Sequence, residues 1–571
     1  MVIICFLGYQ FFLPLYMAKH IIVDYGLHSF DICVSQPIIW KYCKAWFIFT
    51  YVFASSFISN FLYLFISKII PKKRQFNLKE KIFKKQTKKE KIIYSFLSPP
   101  VKEKSLELLI GENKKTKESI YLPEKSLYQN IFITGTIGTG KTSSAMYPFT
   151  KQLISYSCQN PDKKLGMLIL DVKGNYYPKV LEFAKQSSRE KDVIPICLGG
   201  KYYYNPLHKP DLKPTVLANR LKTILLLFSK NNSESYWLDK SEQILTEAIK
   251  ICRLYNNDYV TFEELHKLIT IPTYYLEKMS ILRIKFIQNT FSQNETYDLL
   301  SSLIFFEKEF LSLDQRTLSI LKSEITRITN CFISDYEVLK TFNPKQEELN
   351  FLGFKEVLEQ GKIVVLNMNI NEYTNLSKII ATYLKLDFQT EVMTRLAKYP
   401  DCNFRSVCFI SDEYSEYCTE TDSNFFAQSR EAKCINIVAT QSYTSLLNTL
   451  HEKSTVDVII QNLINKLWFR SDDIFTIETV QKQIGKEDKE KISKGISENA
   501  KETVFSYFTN SLNSKNSSIS ETISTYVHSD FIYDTNFFTQ SLENFTCLAF
   551  LSDGSKIIPP QKIDLIPYFF N

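Results

Sequence analysis

Glycine is scarce in this chain. There are 15 in 571 residues and none between Gly200 and Gly353, so that stretch lacks the residue best suited to tight, left-handed turns. It carries Leu, Ile, Glu and Lys at helical spacing instead, as in residues 237–252, 274–291 and 316–333, and reads as an all-α insertion. The 12 cysteines are scattered and form no C-x-x-C pair. That excludes a zinc ribbon and a disulfide framework and leaves mostly buried, reduced thiols. Tandem repeats and a long charged tail are absent. A strongly basic body is excluded too: residues 68–120 hold 16 Lys and Arg against 6 Glu, which accounts for the whole net charge of +8. The remainder is slightly acidic. Aromatics are abundant, 43 Phe and 33 Tyr within a globular composition of 44% hydrophobic and 23% charged residues.

The few glycines gather where phosphate chemistry needs them. Gly135-Thr136-Ile137-Gly138-Thr139-Gly140-Lys141-Thr142 follows the apolar run Ile131-Phe132-Ile133 and fits G-x-x-x-x-G-K-[ST]. The context is a strand running into a glycine turn that opens a helix, expected from about residue 141 to 157. Backbone N–H groups and a helix N-terminus can then face a polyphosphate. The expected nucleotide-binding residues are Gly135, Thr136, Gly138, Thr139, Gly140, Lys141, Thr142 and Ser143. Lys141 would reach the β- and γ-phosphates, and the Thr142 hydroxyl would ligate Mg²⁺. The pattern implies ATP or GTP.

Hydrolysis also needs a carboxylate near the metal and a group to orient water. Val407-Cys408-Phe409-Ile410-Ser411-Asp412-Glu413 is an apolar strand ending in two acids. Asp412 would hold the metal, directly or through water, and Glu413 would serve as general base. The run ending in Asp171 supplies one acid only, so the pair is preferred; a solvated strand end is the plain alternative. The strand 435–440 runs into Gln441, placed to feel the γ-phosphate where parallel strands end around a ligand, or else a simple turn residue. Arg430 could stabilise charge on the transferring phosphate, in its own or a neighbouring subunit's site, or sit in a surface salt bridge. Arg470, after the strand-like 466–469, is a candidate of the same kind.

Residues 45–67 contain no charge and are long enough for a membrane-spanning helix, with Lys68 and Lys72-Lys73-Arg74 following. The run 2–18 is apolar but shorter and holds Gly8, Gln10 and Pro14. Together they read as a two-helix anchor with a short external loop, and the lysines would face the cytoplasm and anionic lipid. The expected location is therefore an inner or plasma membrane, multi-pass, with the bulk of the chain cytoplasmic.

The expected fold is α/β: a RecA-like P-loop nucleotide-binding domain with an inserted all-α domain and an N-terminal two-helix transmembrane anchor. The divisions are 1–70 for the anchor, 71–120 for a basic juxtamembrane segment and the start of the body, and 121–210 for the first part of the nucleotide-binding domain. Residues 211–345 form the all-α insertion, and 346–571 complete the nucleotide-binding domain and the C-terminal region. Within the last part, 511–520 reads as a polar low-complexity loop and 545–552 as a strand returning to the sheet.

These motifs, in this order, resemble the type IV coupling proteins, the TraG/TraD group of conjugation and type IV secretion. The resemblance rests on the P-loop, on Asp171-Val172-Lys173-Gly174 as that group's D-x-K-G, and on Asn205-Pro206-Leu207 and Tyr236-Trp237. It continues through Asp412-Glu413 and through Ser429-Arg430 upstream of Ala439-Thr440-Gln441-Ser442. Asn175 departs from the acidic residue often found after D-x-K-G. The resemblance implies a homo-hexameric ATPase, using ATP and Mg²⁺, that passes a relaxase-bound, single-stranded DNA or a protein substrate to a membrane channel. It gives Lys141 and Thr142 nucleotide and metal binding, Asp412 and Glu413 hydrolysis, Gln441 coupling, and Arg430 the role of an arginine acting in trans. Two other readings compete: an FtsK-like DNA pump, for which the C-terminus offers no basic recognition helix, and an ATP-dependent docking or assembly protein for secreted effectors.

Overall fold

Short runs that are apolar at every position build the centre of this protein. The computed structural model describes residues 105–571, apart from 172, 228–234, 399–402, 499–502, 507–510, 515–518 and 571. The strands are β1 (Glu107–Asn113), β2 (Ser119–Pro123), β3 (Ile131–Thr134), β4 (Gly166–Leu170), β5 (Val193–Ile196), β6 (Ile363–Leu366), β7 (Val407–Ser411), β8 (Cys434–Thr440) and β9 (Asn465–Trp468). There follow β10 (Lys486–Glu498), β11 (Thr503–Ser506), β12 (Ser511–Ser514), β13 (Ile519–Phe531), β14 (Thr546–Ser552) and β15 (Ile557–Asp564). Eleven of them form one sheet in the order β2-β1-β15-β14-β9-β3-β8-β7-β4-β6-β5. From β9 to β5 each neighbouring pair is parallel, and from β2 to β9 each is antiparallel.

Period-two alternation sends the strand residues to two separate cores. Phe132, Leu168, Ile194, Val364, Phe409, Val438 and Trp468 pack on one face; Ile133, Ile169, Val365, Ile410, Ile437 and Leu467 pack on the other. Both faces are covered, so the alternation does not show in the sequence as hydrophobic and polar residues. Each fully buried aliphatic side chain contributes roughly 1.5–3 kcal/mol. The second face is covered by the helices Tyr147–Ser155 and Tyr176–Gln186.

Between β5 and β6 the described residues form a run of helices, from Pro214–Leu227 and Ser235–Tyr255 to Tyr336–Phe342. Polar side chains start several of these helices. Thr261, Asp314 and Asp335 accept from backbone N–H groups of the first turn, and Ser292 forms a reciprocal capping box with Glu295. The helix Ile370–Lys398 follows β6 and packs its Tyr383, Leu384 and Phe388 into the same core as the helical segment.

Two expectations are corrected. Residues 511–520 are not a plain loop: they supply β12, paired with β11, and the start of β13, paired with β10 over Lys486↔Phe531 to Glu498↔Ile519. Serine and threonine can pair their backbone in a ribbon without a core to bury. The membrane location is corrected as well, because among the described residues no helix is long and apolar enough to cross a membrane. The segments 2–18 and 45–67, on which that expectation rested, lie outside the described residues, as does the lysine-rich run to 91.

Candidate active site

The parallel strands β3, β8, β7 and β4 lie side by side, so the loops after their C-terminal ends meet at one rim. After β3 the chain turns through Gly138 and Gly140, both left-handed with φ of 80° and 97°. It then enters a wide first helical turn, Lys141–Met146, that continues as Tyr147–Ser155. The loop is tied from outside: Thr136 donates its N–H at 2.9 Å and its hydroxyl at 3.2 Å to the Arg470 carbonyl. The Thr139 hydroxyl donates to the Thr136 carbonyl at 2.8 Å, and the Phe545 N–H to the Thr139 carbonyl at 3.0 Å. The buried Lys141 ammonium donates to the carbonyls of Gly135 and, at 3.1 Å, Thr136. Burial pushes its pKa down, against the pull of Glu413 and Asp412.

At Gly140 a Cβ would stand 2.4 Å from the Phe545 ring. A side chain there is opposed twice, by the ring and by a backbone conformation costing about 1–2 kcal/mol to an L residue. Gly140→Ala is expected to weaken nucleotide binding about tenfold or more while the fold persists. A titration with a fluorescent nucleotide, beside circular dichroism, checks it; unchanged affinity would show that the ring swings aside.

The carboxylates converge on this loop. The Thr142 hydroxyl donates to Asp412 Oδ2 at 2.9 Å, joining the P-loop to the end of β7. Glu413 has a left-handed backbone, φ 51° and ψ 45°, which is uncommon for a residue other than glycine and often marks a functional position. Its Oε1 accepts from the Lys173 ammonium, and its Oε2 accepts from Gln441 Nε2 at 3.2 Å. The Asp412 carboxyl is pushed up to about 6, first by burial and then by the charges of Asp171 and Glu413. Burial opposes the charge on Lys173, yet its bond to Glu413 and the neighbouring acids leave its pKa raised overall.

Asp171 does different work. Its carboxylate accepts the N–H groups of Lys173, Asn175 and Tyr176 at 2.9–3.0 Å and so caps the helix Tyr176–Gln186. The D-x-K-G loop therefore brings Lys173 to Glu413 and spends its aspartate on holding itself.

The segment after the acid pair is pinned by a buried network. Asp422 accepts from Lys385 Nζ at 2.6 Å, Gln389 Nε2 at 2.9 Å, the Tyr414 hydroxyl at 2.5 Å, and the Thr419 N–H and hydroxyl at 3.0 and 3.1 Å. The Tyr417 hydroxyl donates to the Asp412 carbonyl at 2.9 Å and bonds the Ser411 hydroxyl at 2.7 Å. The backbone on both sides of Glu413 is thus fixed from the helix Ile370–Lys398.

Among the described residues no cluster of three or more His, Cys, Asp or Glu stands ready for a metal. The Thr142 hydroxyl and Asp412 carboxylate do fit Mg²⁺, which takes hard oxygen ligands and is commonly held by one or two carboxylates together with phosphates. A buried acid raised by two like charges gains from a cation there.

The structure brings Lys141, Thr142, Asp412, Glu413 and Gln441 together. It does not bring Arg430 to them. That residue is exposed and precedes β8, whereas Gln441 follows it, so the two lie at opposite rims of one chain. Sequence reading missed Lys173 as the partner of Glu413 and Phe545 as the wall at Gly140. The lysine was in view within the D-x-K-G motif; 545–552 reads as a strand returning to the sheet, but nothing local to Phe545 signals that its ring stands against Gly140.

Fold and site together define a P-loop protein built on a parallel sheet. Residues 406–526 match the family model described as the TraM recognition site of TraD and TraG. Over that stretch the chain is similar to the TraG/TraD group that its ordered motifs resemble. Its fold is that of the bacterial conjugative coupling protein TrwBdeltaN70. The trigonal form in complex with sulphate matches with a TM-score of 0.53 at 13% identity, over 82% of this chain and 96% of that one. TrwB in complex with ADP and Mg²⁺ gives 0.52 at 12% identity, over 82% and 96%, and TrwB with the non-hydrolysable ATP analogue ADPNP gives 0.51 at 12%, over 82% and 91%. Comparison with curated protein sequences finds no match.

Proposed function

We propose that this protein is an ATP-hydrolysing coupling motor. It binds a relaxase-bound single strand of DNA, delivers it to a type IV secretion or conjugation channel, and drives the transfer from a homo-hexameric ring. The observation that carries the reading is the contact of Thr142 with Asp412 beside a Glu413 held by Gln441 and Lys173. That constellation has a part for each need of phosphoryl transfer to water. TrwB, which shares the fold, is solved with ADP and Mg²⁺.

In this reading the Gly135–Thr142 backbone wraps the phosphates, and Lys141 exchanges the Gly135 and Thr136 carbonyls for phosphate oxygens. Thr142 and Asp412 would hold Mg²⁺, which would supply positive charge against the phosphates. Glu413 takes the proton of the attacking water, and its backbone, fixed on both sides, keeps that carboxylate aimed. Gln441 links the base to β8, so loss of the γ-phosphate can be felt along that strand. Arg430, exposed at the far rim, would complete a neighbouring subunit's site rather than its own.

The test is ATP turnover by the chain with and without single-stranded DNA, beside Lys141→Ala. Turnover stimulated by DNA and abolished in the variant is the expected result. The charge distribution favours one second reading, an ATP-dependent docking protein for effectors, because outside residues 68–120 the chain is slightly acidic. Turnover dependent on Lys141, indifferent to DNA and raised by a protein client would select it.

A further inference from the structure

Beside the P-loop, where the chain leaves β8 and β9, lies a cavity of about 550 Å³. Its wall includes Thr136 and Ile137 from the loop, Gln441 and Ser442 after β8, and Arg470 and Asp473 after β9. We infer that Arg470 is a further phosphate-contacting residue, supplied in cis, that distinguishes a nucleoside triphosphate from a diphosphate. The inference rests on the reading of the P-loop as the ATP site and adds a residue to it.

Three observations support it. First, β9 pairs in parallel with β3, Thr134 opposite Trp468, so Arg470 leaves its strand level with the P-loop. Its carbonyl holds both the N–H and the hydroxyl of Thr136, which fixes its backbone to the second residue of the motif. Secondly, the loop has a polarity. The α- and β-phosphates lie over its C-terminal half and the helix N-terminus, with Lys141 reaching on to β and γ, so a third phosphate extends towards Thr136, Ile137 and Gln441. Those are the residues Arg470 shares the cavity with. Thirdly, the guanidinium is available: among the described residues Arg470 makes no ion pair, although two aspartates follow it in the chain. The Asp473 carboxylate is engaged by the Thr444 hydroxyl at 2.5 Å and the Thr476 hydroxyl at 2.6 Å, and Asp472, at the cavity's edge, is exposed to water.

A planar guanidinium offers paired donors that match a phosphate. Arg470 and Gln441 would then contact the same phosphate from β9 and β8, the strands flanking β3, and both strand ends would register its departure. Arg430, at the opposite rim, can do this only for another subunit.

The experiment measures equilibrium binding of ADPNP and of ADP to the full chain, to Arg470→Ala and Arg470→Lys, and to Lys141→Ala. Arg470→Ala is expected to weaken ADPNP binding about tenfold or more, the worth of a charged hydrogen bond, and to leave ADP within about twofold. Arg470→Lys should fall between, keeping the charge without the fork. Retained ADP binding doubles as the folding control, since the carbonyl that holds Thr136 survives in every variant. Equal weakening of both nucleotides, or of neither, while Lys141→Ala weakens both, overturns the role of Arg470 and leaves the ATP site standing. If Lys141→Ala changes neither, the reading of the P-loop itself has failed.

Discussion

Glu413→Gln is expected to bind ATP with close to the parent affinity and to turn it over about 10²–10⁴-fold more slowly, the range for loss of a positioned general base. The substitution isolates the chemistry because little else should move. Glutamine keeps the length of the side chain, and its carbonyl can still accept from Lys173 or from Gln441 Nε2, the two donors that now hold Glu413. The left-handed backbone at this position is imposed by Tyr414, Tyr417 and the bonds behind them, not by the carboxylate. Lys173 loses an ionic partner, but it is half exposed, so solvent screens much of that loss. Binding of a fluorescent ATP analogue beside steady-state phosphate release makes the comparison. A tenfold loss of affinity with unchanged turnover per bound nucleotide would assign Glu413 to binding and leave the base to be found elsewhere.

The sequence made the centre of this molecule legible because that centre obeys local rules. A strand, a glycine turn and a lysine are contiguous from Ile131 to Thr142, and Asp412-Glu413 sits at the end of an unbroken apolar run. The strands read at 131–133, 407–413, 435–440 and 545–552 are all present, with ends shifted by a residue or two. What was not legible depends on residues far apart. The antiparallel edge β2-β1-β15 has short or mixed strands whose pairing, Glu112 with Asp564 for example, joins opposite ends of the described chain. The Lys385–Asp422 pair looks on paper like two ordinary helix-surface charges; only packing shows both with no exposed side-chain surface. Composition also pointed wrongly at 511–520, where polarity suggested a loop and strand pairing supplied β12 and the start of β13.

That buried pair yields the second large effect. Asp422→Ala is expected to cost about 3–5 kcal/mol, the usual penalty for stranding one member of a buried ion pair. Lys385 would keep only the Tyr417 carbonyl and the Thr419 hydroxyl, each at 2.9 Å, while Tyr414, Gln389 and the Thr419 N–H lose their acceptor. Two residues along the same helix, Asp387 forms a second buried pair, with Lys209 at 2.8 Å and Arg220 at 2.7 Å. Asp387→Ala should cost a similar amount, so stability alone cannot say what either pair is for. Their surroundings differ. Asp387 ties the helix to Lys209 and the helix Pro214–Leu227, whereas Asp422 ties it to the segment that shapes Glu413. Under conditions where both variants remain folded by urea titration, Asp422→Ala should lower ATP turnover at saturating nucleotide, and Asp387→Ala should change it much less. Replacing both partners, Lys385→Met with Asp422→Leu, should recover much of the stability, since two apolar side chains strand no charge. It should not recover the turnover, because Tyr414 and Thr419 would still lack the acceptor that holds the 414–422 segment in place. Turnover that tracks stability through all three variants would reduce the network to a fastening of the fold.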